Sequence, residues 1–291
     1  MPNHEKIAIV RRVLAGLAAA GVTEVHYLPD TAGIAVSALG GSIYAIRALP
    51  LEMQVGGTAR DSLEAARLLA ELGAAVIVTL GGDGTNRAVA AGCGDVPLVP
   101  ISTGTNNVFP TMIDGTVAGI AAGLVATFRV DPARVCKRTK VVNVATDSTR
   151  DFALVDAAAC TDRFTGARAI WDPSQLRAIV FARTDPWAVG LSSIGGQILP
   201  IGLDEPAGLY VEIGSGPSVR AVLAPGVVVD VPIRRYRRLA LEEVVELPSA
   251  GTIALDGERD IEVAGTARAW VAATGPRVVD IRATMASARA Q

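Results

Sequence analysis

Ala74 to Thr85 reads AAVIVTLGGDGT, an apolar run that ends in glycines around a single carboxylate. The run Ala74 to Leu80 predicts a buried strand; Gly81, Gly82, Asp83, Gly84 and Thr85 form its exit turn, and Asn86 to Ala91 begins a helix. Glycines tolerate positive φ and lack a Cβ, so phosphate oxygens can approach the bare backbone N–H groups while the helix aims its positive end at the same point. Asp83 is the anomaly. A carboxylate in an anion-binding loop is unfavourable unless it binds Mg²⁺ or takes a proton from a hydroxyl that attacks the phosphate.

A second loop of this kind follows one helix later. Val96 to Ile101 reads as a buried strand, and Ser102, Thr103, Gly104, Thr105, Asn106 and Asn107 form its polar exit. Strand, short helix and strand make a right-handed βαβ unit, which places both exits at the carboxyl edge of a parallel sheet, where such folds bind ligands. Thr103, Thr105, Asn106 and Asn107 supply neutral hydroxyls and amides suited to phosphate oxygens or a metal shell. Taken singly, Gly-Gly-Asp-Gly is an ordinary turn, Asp83 a helix cap and Asn106 a brace for its own backbone. Two such loops at consecutive strand ends point to a phosphate site.

Working outward, Ile7 to Ala20 is an amphipathic helix ended by Gly21, Val25 to Leu28 a strand, and Leu63 to Leu72 a helix ended by Gly73. Val117 to Thr127 is a small-residue helix whose Gly119 and Gly123 suit close packing. Residues 1–130 therefore form an α/β domain with a parallel, Rossmann-like sheet. Beyond Asp131 and Pro132 short β-rich runs take over: Val141 to Ala145, Phe152 to Ala159, Ala178 to Ala182, Leu209 to Ile213, Val219 to Leu223, Val227 to Val231 and Ile261 to Ile281. Residues 131–283 read as an all-β domain, and the helix-like Thr284 to Ala290 as a return to the first domain.

Composition narrows the function classes. The 291 residues, 50% hydrophobic and 19% charged, can fill two cores. A formal net charge of -2 supplies no general field for nucleic acid or a membrane surface. The most apolar stretch, Val117 to Phe128, is too short to cross a bilayer. Arg234, Arg235, Arg237 and Arg238 form the one basic cluster and read as a solvated strand or hairpin. Cys93, Cys136 and Cys160 are widely spaced and read as buried, reduced thiols of a cytoplasmic protein. With only His4 and His26, zinc chemistry and a Ser-His-Asp triad are disfavoured. Lys6, Lys137 and Lys140 are the only lysines and no GxxxxGK[ST] exists, which argues against a Walker ATPase and a Schiff-base enzyme; GxGxxG is absent as well.

GGDGT followed by a strand and a TGTNN loop resembles the NAD kinase/diacylglycerol kinase superfamily, and LVPISTGTNNVFP is most similar to its acetoin catabolism protein X branch, whose members are ATP-NAD kinase-like. Leu191, Ser192, Ser193, Ile194, Gly195 and Gly196 are similar to the NAD kinase stretch ending SLSAGG. Leu255, Asp256, Gly257 and Glu258 are similar to the superfamily's late LDGE. The resemblance spans most of the chain and implies the NAD kinase-like two-domain architecture, with phosphoryl transfer from ATP, carried with Mg²⁺, to a hydroxyl. NAD(H) is the implied acceptor, through the 2'-hydroxyl of its adenine-side ribose, with Asp83 taking the proton. Gly81, Gly82, Gly84, Thr85, Asn86, Thr103, Gly104, Thr105, Asn106, Asn107, Asp156, Ser193, Gly195, Gly196, Asp256 and Glu258 are then the implied nucleotide-binding set. No side chain is singled out as a dedicated metal ligand. The implied partners are small nucleotides rather than nucleic acid or membrane, in a homo-oligomer.

The chain departs from the family in three places. Where NAD kinases carry a TGSTAY segment that holds the dinucleotide, Asp185 to Gly190 read DPWAVG. The family's Asn-Glu pair corresponds to Val155 and Asp156, so Asp156 either accepts from a ribose hydroxyl or is an exposed strand residue. Superfamily members usually begin with a strand and an Asn-Pro loop, whereas Met1 opens at the helix after it; loss of an edge strand would expose a neighbour's backbone groups. In the diacylglycerol kinase version Glu258 or Asp256 is the base, while Asp256-Gly257 reads equally as a hairpin turn. A non-catalytic nucleotide sensor of the same fold and a lipid or small-molecule kinase are the alternatives.

Overall fold

In the computed structural model the chain divides into two compact units, one of residues 1–104, 110–138 and 276–291, the other of residues 105–109 and 139–275. The structure describes residues 1–40, 44–161, 172–248, 251–263 and 265–288, with backbone alone over 258–260.

The first unit opens with α1 (Asn3–Ala19), whose Ile9, Val13, Leu14 and Leu17 recur at helical spacing and are buried. β1 (Glu24–Tyr27), α2 (Ile34–Leu39) and β2 (Arg47–Pro50) follow, and β1 pairs with β2 in parallel. α3 (Ala59–Glu71) starts at a capping box in which the Asp61 carboxylate accepts from the N–H groups of Gly56, Gly57 and Thr58. β3 (Ile77–Gly81), α4 (Asp83–Gly92) and β4 (Leu98–Ser102) form the expected βαβ unit, with β3 and β4 parallel from Ile77↔Leu98 to Gly81↔Ser102. α5 (Gly115–Ala126), the short α6 (Pro132–Val135) and β5 (Cys136–Arg138) complete this stretch.

Helices cover both faces of β4. Ile9, Val13, Leu17, Ala118, Ala122 and Val125 of α1 and α5 pack with Val99 and Ile101, while Ala66, Val89 and Cys93 pack with Ile77 and Leu98. α1 and α5 meet at backbone distance: a Cβ on Gly16 would lie 2.2 Å from the Thr116 carbonyl oxygen, and one on Gly119 2.2 Å from that of Val13. The small-residue stripe of α5 thus serves helix contact, as its spacing predicts.

The second unit is rich in antiparallel strands: β6 (Val141–Ala145), β7 (Arg150–Ala153), β8 (Asp156–Cys160) and β9 (Leu176–Phe181), then α7 (Leu191–Ile198). A long hairpin of β10 (Ala207–Ala224) and β11 (Val227–Ala240) follows, then β12 (Val245–Leu247), β13 (Thr252–Leu255), β14 (Glu258–Glu262) and β15 (Ala267–Ala272). A six-stranded sheet of order β11-β10-β9-β8-β13-β14 and a four-stranded sheet β12-β15-β6-β7 enclose a core that includes Val142, Val180, Leu239, Ile253 and Val271. The chain then returns to the first unit as β16 (Arg277–Val279), which lies between β4 and β5, and α8 (Ile281–Ser287).

Several elements differ from the sequence expectation. Residues 131–138 belong to the first unit, and the run Ile261 to Ile281 is divided between the units, because a three-residue strand such as β16 is too short for alternation to reveal its neighbours. Phe152 to Ala159 is two strands, broken where the N–H groups of Leu154 and Val155 turn to a side chain. Leu209 to Ile213 and Val219 to Leu223 lie in one strand that carries Gly214 to Pro217 as an irregularity. The strand-rich unit also holds, among its described residues, the α-helix α7 and a 3-10 turn at Pro173–Gln175. The closing helix spans Ile281–Ser287 rather than Thr284 to Ala290, since Asp280 caps it through the Ala283 N–H at 2.9 Å.

Candidate functional site

The two glycine-bearing exits are neighbours. Gly81 stands in register with Ser102 at the carboxyl ends of β3 and β4, and the Thr103 N–H donates across to the Gly81 carbonyl at 3.4 Å. Asp83 is the first residue of α4, half-buried, at the helix end where unpaired N–H groups converge. None of Gly81, Gly82 and Gly84 has positive φ, contrary to the expected use of glycine here. Absence of a side chain is what the loop needs: a Cβ on Gly81 would sit 2.5 Å from the Thr85 Cβ.

Asn86, expected to contact a ligand, is instead fully buried. Its Oδ1 accepts from the Thr79 hydroxyl at 2.6 Å and its Nδ2 donates to the Gly82 carbonyl at 2.8 Å. The amide therefore braces the loop from beneath, because a buried amide must spend its groups on internal partners. In the neighbouring exit the Ser102 hydroxyl donates to the Gly104 carbonyl at 2.9 Å, and the Thr103 side is half-buried. Thr105, Asn106 and Asn107 belong to the second unit; Thr105 and Asn106 are exposed, and the Thr105 hydroxyl donates to Asn106 Oδ1 at 3.0 Å.

The later motifs serve the interior of the second unit. Asp256 and Gly257 form the β13–β14 hairpin turn with φ of 52° and 83°. The Asp256 carboxylate accepts from the N–H groups of Leu154 at 3.0 Å, Val155 at 2.7 Å and Asp156 at 3.4 Å. A carboxylate so committed is a backbone clasp, and the hairpin reading of Asp256 is realised at the expense of a base. Asp156 opens β8 with only 4% of its surface exposed, so it is not the exposed strand residue of the alternative reading. The Glu258 side chain lies outside the described residues.

Ser193 is buried, and its hydroxyl is placed against the carbonyls of Gly190 and Val222 at 2.8 and 3.1 Å. A Cβ on Gly195 would meet the Thr184 Cγ2 at 2.4 Å, and one on Gly196 the Asp185 backbone at 2.3 Å. These three positions seat α7 against the segment 184–186 and the β10 strand.

Lys140 carries a buried cation that the sequence reading did not single out. Its ammonium donates to the carbonyls of Ala207 at 2.7 Å and Gly202 at 3.0 Å, and burial pulls its pKa down to about 8. Only its rarity, one lysine of three set beside an apolar strand, marks it in the sequence. The arginine cluster of β11 is matched by acids: Arg234 and Arg235 by Glu212, Arg237 by Glu243, and Arg238 by Glu205. It is a compensated, largely exposed hairpin surface. The three cysteines are buried and in no disulfide, and burial raises the Cys93 thiol to about 11, which makes it unreactive.

One carboxylate at a helix start, with the Thr85 hydroxyl in the same turn, suits an Mg²⁺ that arrives on phosphate oxygens. Among the described residues no group of three His, Cys, Asp or Glu side chains is gathered to hold an ion unaided. No described helix is long and apolar enough to cross a membrane.

Known proteins share both halves of this architecture. Residues 2–127 match the ATP-NAD kinase N-terminal domain, and residues 137–275 match the acetoin catabolism protein X C-terminal domain. The fold and these two matches define a two-domain protein of the NAD kinase-like class. Acetoin catabolism protein X of Cupriavidus necator is 39% identical over 274 residues, covering 88% of this chain and 76% of that one. The chain belongs to the acetoin catabolism protein X family. A crystal structure of an NAD kinase from Archaeoglobus fulgidus in complex with ATP is also similar, at 14% identity and a TM-score of 0.48, covering 84% of this chain and 90% of that one.

Proposed function

We propose that this protein is a kinase that transfers the terminal phosphoryl group of ATP to a hydroxyl, with the 2'-hydroxyl of NAD(H) or a related nucleotide as acceptor. The observation that carries the reading is the register of Gly81 with Ser102, which sets Asp83 at a helix N-terminus beside a second polar strand exit. The match of residues 2–127 to the ATP-NAD kinase N-terminal domain supports the choice of reaction.

The N–H groups at the start of α4 bind the phosphates, and Asn86 holds the loop's carbonyl at Gly82 turned inward, away from them. Phosphate oxygens would hold the Mg²⁺ that ATP brings, and the ion would neutralise charge on the transferred group, which leaves the Asp83 carboxylate to act as the base. The Asp83 carboxylate receives the acceptor's proton as the hydroxyl oxygen forms its bond to the γ-phosphorus; the bond from that phosphorus to the bridging oxygen breaks and ADP departs. Asp83→Asn keeps the shape of the side chain and removes its basicity, so turnover with ATP, Mg²⁺ and NAD(H) should fall by about 10²–10⁴-fold with thermal stability unchanged. Unaltered turnover in that variant would remove Asp83 from the mechanism.

A nucleotide sensor is the second reading, favoured by two features of the acceptor side: Asp185 to Gly190 in place of the NAD kinase dinucleotide segment, and Asp256 committed to backbone amides. It predicts saturable ATP or NAD binding by calorimetry with no phosphoryl transfer to any hydroxyl acceptor in a panel headed by NAD and NADH. Any measurable product rejects it.

A further inference from the structure

The apolar run Ala74 to Leu80 holds a single polar side chain, Thr79. On β3 it shares the buried face with Ile77 and Gly81, the face on which Ile77 meets Val89 of α4. A hydroxyl set among apolar groups needs a partner, and Thr79, 5% exposed, has one in Asn86 Oδ1 at 2.6 Å. The Asn86 amide fits only one way round. Its Nδ2 donates to the Gly82 carbonyl at 2.8 Å, and turning the amide over would set Oδ1 against that carbonyl oxygen. Oδ1 therefore faces Thr79, and the hydroxyl is the donor.

The chain of bonds ends at the most permissive point of the turn. Gly82 is the N-cap of α4, no side chain caps that end, and Gly81 and Gly84 flank the Gly82–Asp83 pair, so the peptide planes here meet little hindrance to turning over. The Gly82 carbonyl also accepts the Asn86 backbone N–H at 3.1 Å. Since that N–H already satisfies the carbonyl as an acceptor, the second donor is spent on its orientation. A trans peptide sets its N–H opposite its carbonyl, so holding the Gly82 oxygen inward turns the Asp83 N–H outward. A plane turned the other way would aim an oxygen at a bound phosphate and repel it. The Gly81 carbonyl is held as well, by the Thr103 N–H.

We propose that Thr79 is a positioning residue for phosphate binding: through the Asn86 amide it locks the Gly82–Asp83 peptide plane so that an N–H, and no carbonyl oxygen, faces ATP. The inference rests on the kinase reading for the identity of the ligand and on the hydrogen-bond chain for the geometry. Thr79 is buried within the strand and acts only through Asn86. Its hydroxyl ties β3 to α4 across the turn that joins them, which prepays the ordering of a glycine-rich segment before the nucleotide arrives.

Thr79→Val keeps the shape of the side chain and deletes the donor, whereas Thr79→Ser keeps the donor. Initial rates with ATP, Mg²⁺ and NADH are measured for both, for Asn86→Ala, and for Thr79→Val combined with Asn86→Ala; Val125→Ala serves as a core variant destabilised in α5, away from the turn. The proposal expects KM for ATP to rise about tenfold in Thr79→Val with KM for NADH unchanged. Thr79→Ser should return KM for ATP to within about twofold of the wild type, and adding Thr79→Val to Asn86→Ala should raise it no further. Loss of folded protein lowers the apparent kcat and moves neither KM, which is the pattern expected of Val125→Ala. An unchanged KM for ATP in Thr79→Val, or the same effect with and without Asn86, overturns the proposal. Should Thr79→Val not fold, Asn86→Ala alone must show the rise in KM for ATP. Absence of transfer by the wild type would remove the kinase reading by itself; calorimetry with ATP then decides the positioning role, a tenfold weaker Kd in Thr79→Val upholding it, and an equal Kd, or no binding by the wild type, overturning it.

Discussion

Gly81→Ala isolates the steric logic of the turn between β3 and α4. The new methyl would lie 2.5 Å from the Thr85 Cβ and 2.7 Å from both its Cγ2 and Oγ1, where real Cβ contacts fall no closer than 3.0 Å. All three clashing atoms belong to one side chain fixed to the first turn of α4, so rotating Thr85 leaves the Cβ–Cβ clash in place and the helix start must move. Overpacking of this kind costs about 1–3 kcal/mol, and a shift of the helix start also displaces Asp83. Urea denaturation of Gly81→Ala, Thr85→Gly and the double variant forms a cycle in which removing the Thr85 side chain should restore most of the loss. Phosphoryl transfer should be lost in Gly81→Ala and partly regained in the double variant. A stability change below about 0.5 kcal/mol in Gly81→Ala, or a double variant no better than the sum of the singles, would refute the packing argument.

Other predictions follow from the second unit. Lys140 has a folded-state pKa of about 8 against an ordinary value of 10.5, so between these the unfolded chain binds the extra proton and stability rises with pH, by at most about 3 kcal/mol. Lys140→Met should flatten that rise in urea titrations between pH 8 and pH 10, and an unchanged slope would show that the cation is not the source. Asp256→Asn keeps a residue tolerant of the left-handed turn but gives up one of the acceptor oxygens that hold Leu154 and Val155, costing about 1–3 kcal/mol. Its kcat should be preserved at a temperature where the variant is folded; loss of turnover at unchanged stability would instead return Asp256 to the catalytic set.

The parts of this fold legible in the sequence are those where a local pattern coincides with a local structure. The strand-turn-helix at Gly81 to Asn86, the second exit at Ser102 and the glycine face of α5 were readable because apolar runs, turn residues and helical spacing act within a few residues. The roles of Asn86 and Asp256 were not, because an amide or carboxylate has the same identity whether it meets a ligand or a backbone group, and Asp256 finds its partners 100 to 102 residues away. Lys140 escaped notice for the same reason: its carbonyl partners lie 62 and 67 residues further along the chain. Sheet order is likewise a non-local property, which hid the place of β16.

The position of β16 has a further consequence for biosynthesis. Because Arg277 to Val279 fills the place between β4 and β5, the ribosome must deliver the whole strand-rich unit before the first unit can close this sheet. The half made first is therefore finished last, and a nascent chain halted after Gly275 would carry an orphaned β4 edge at the very sheet that presents Asp83.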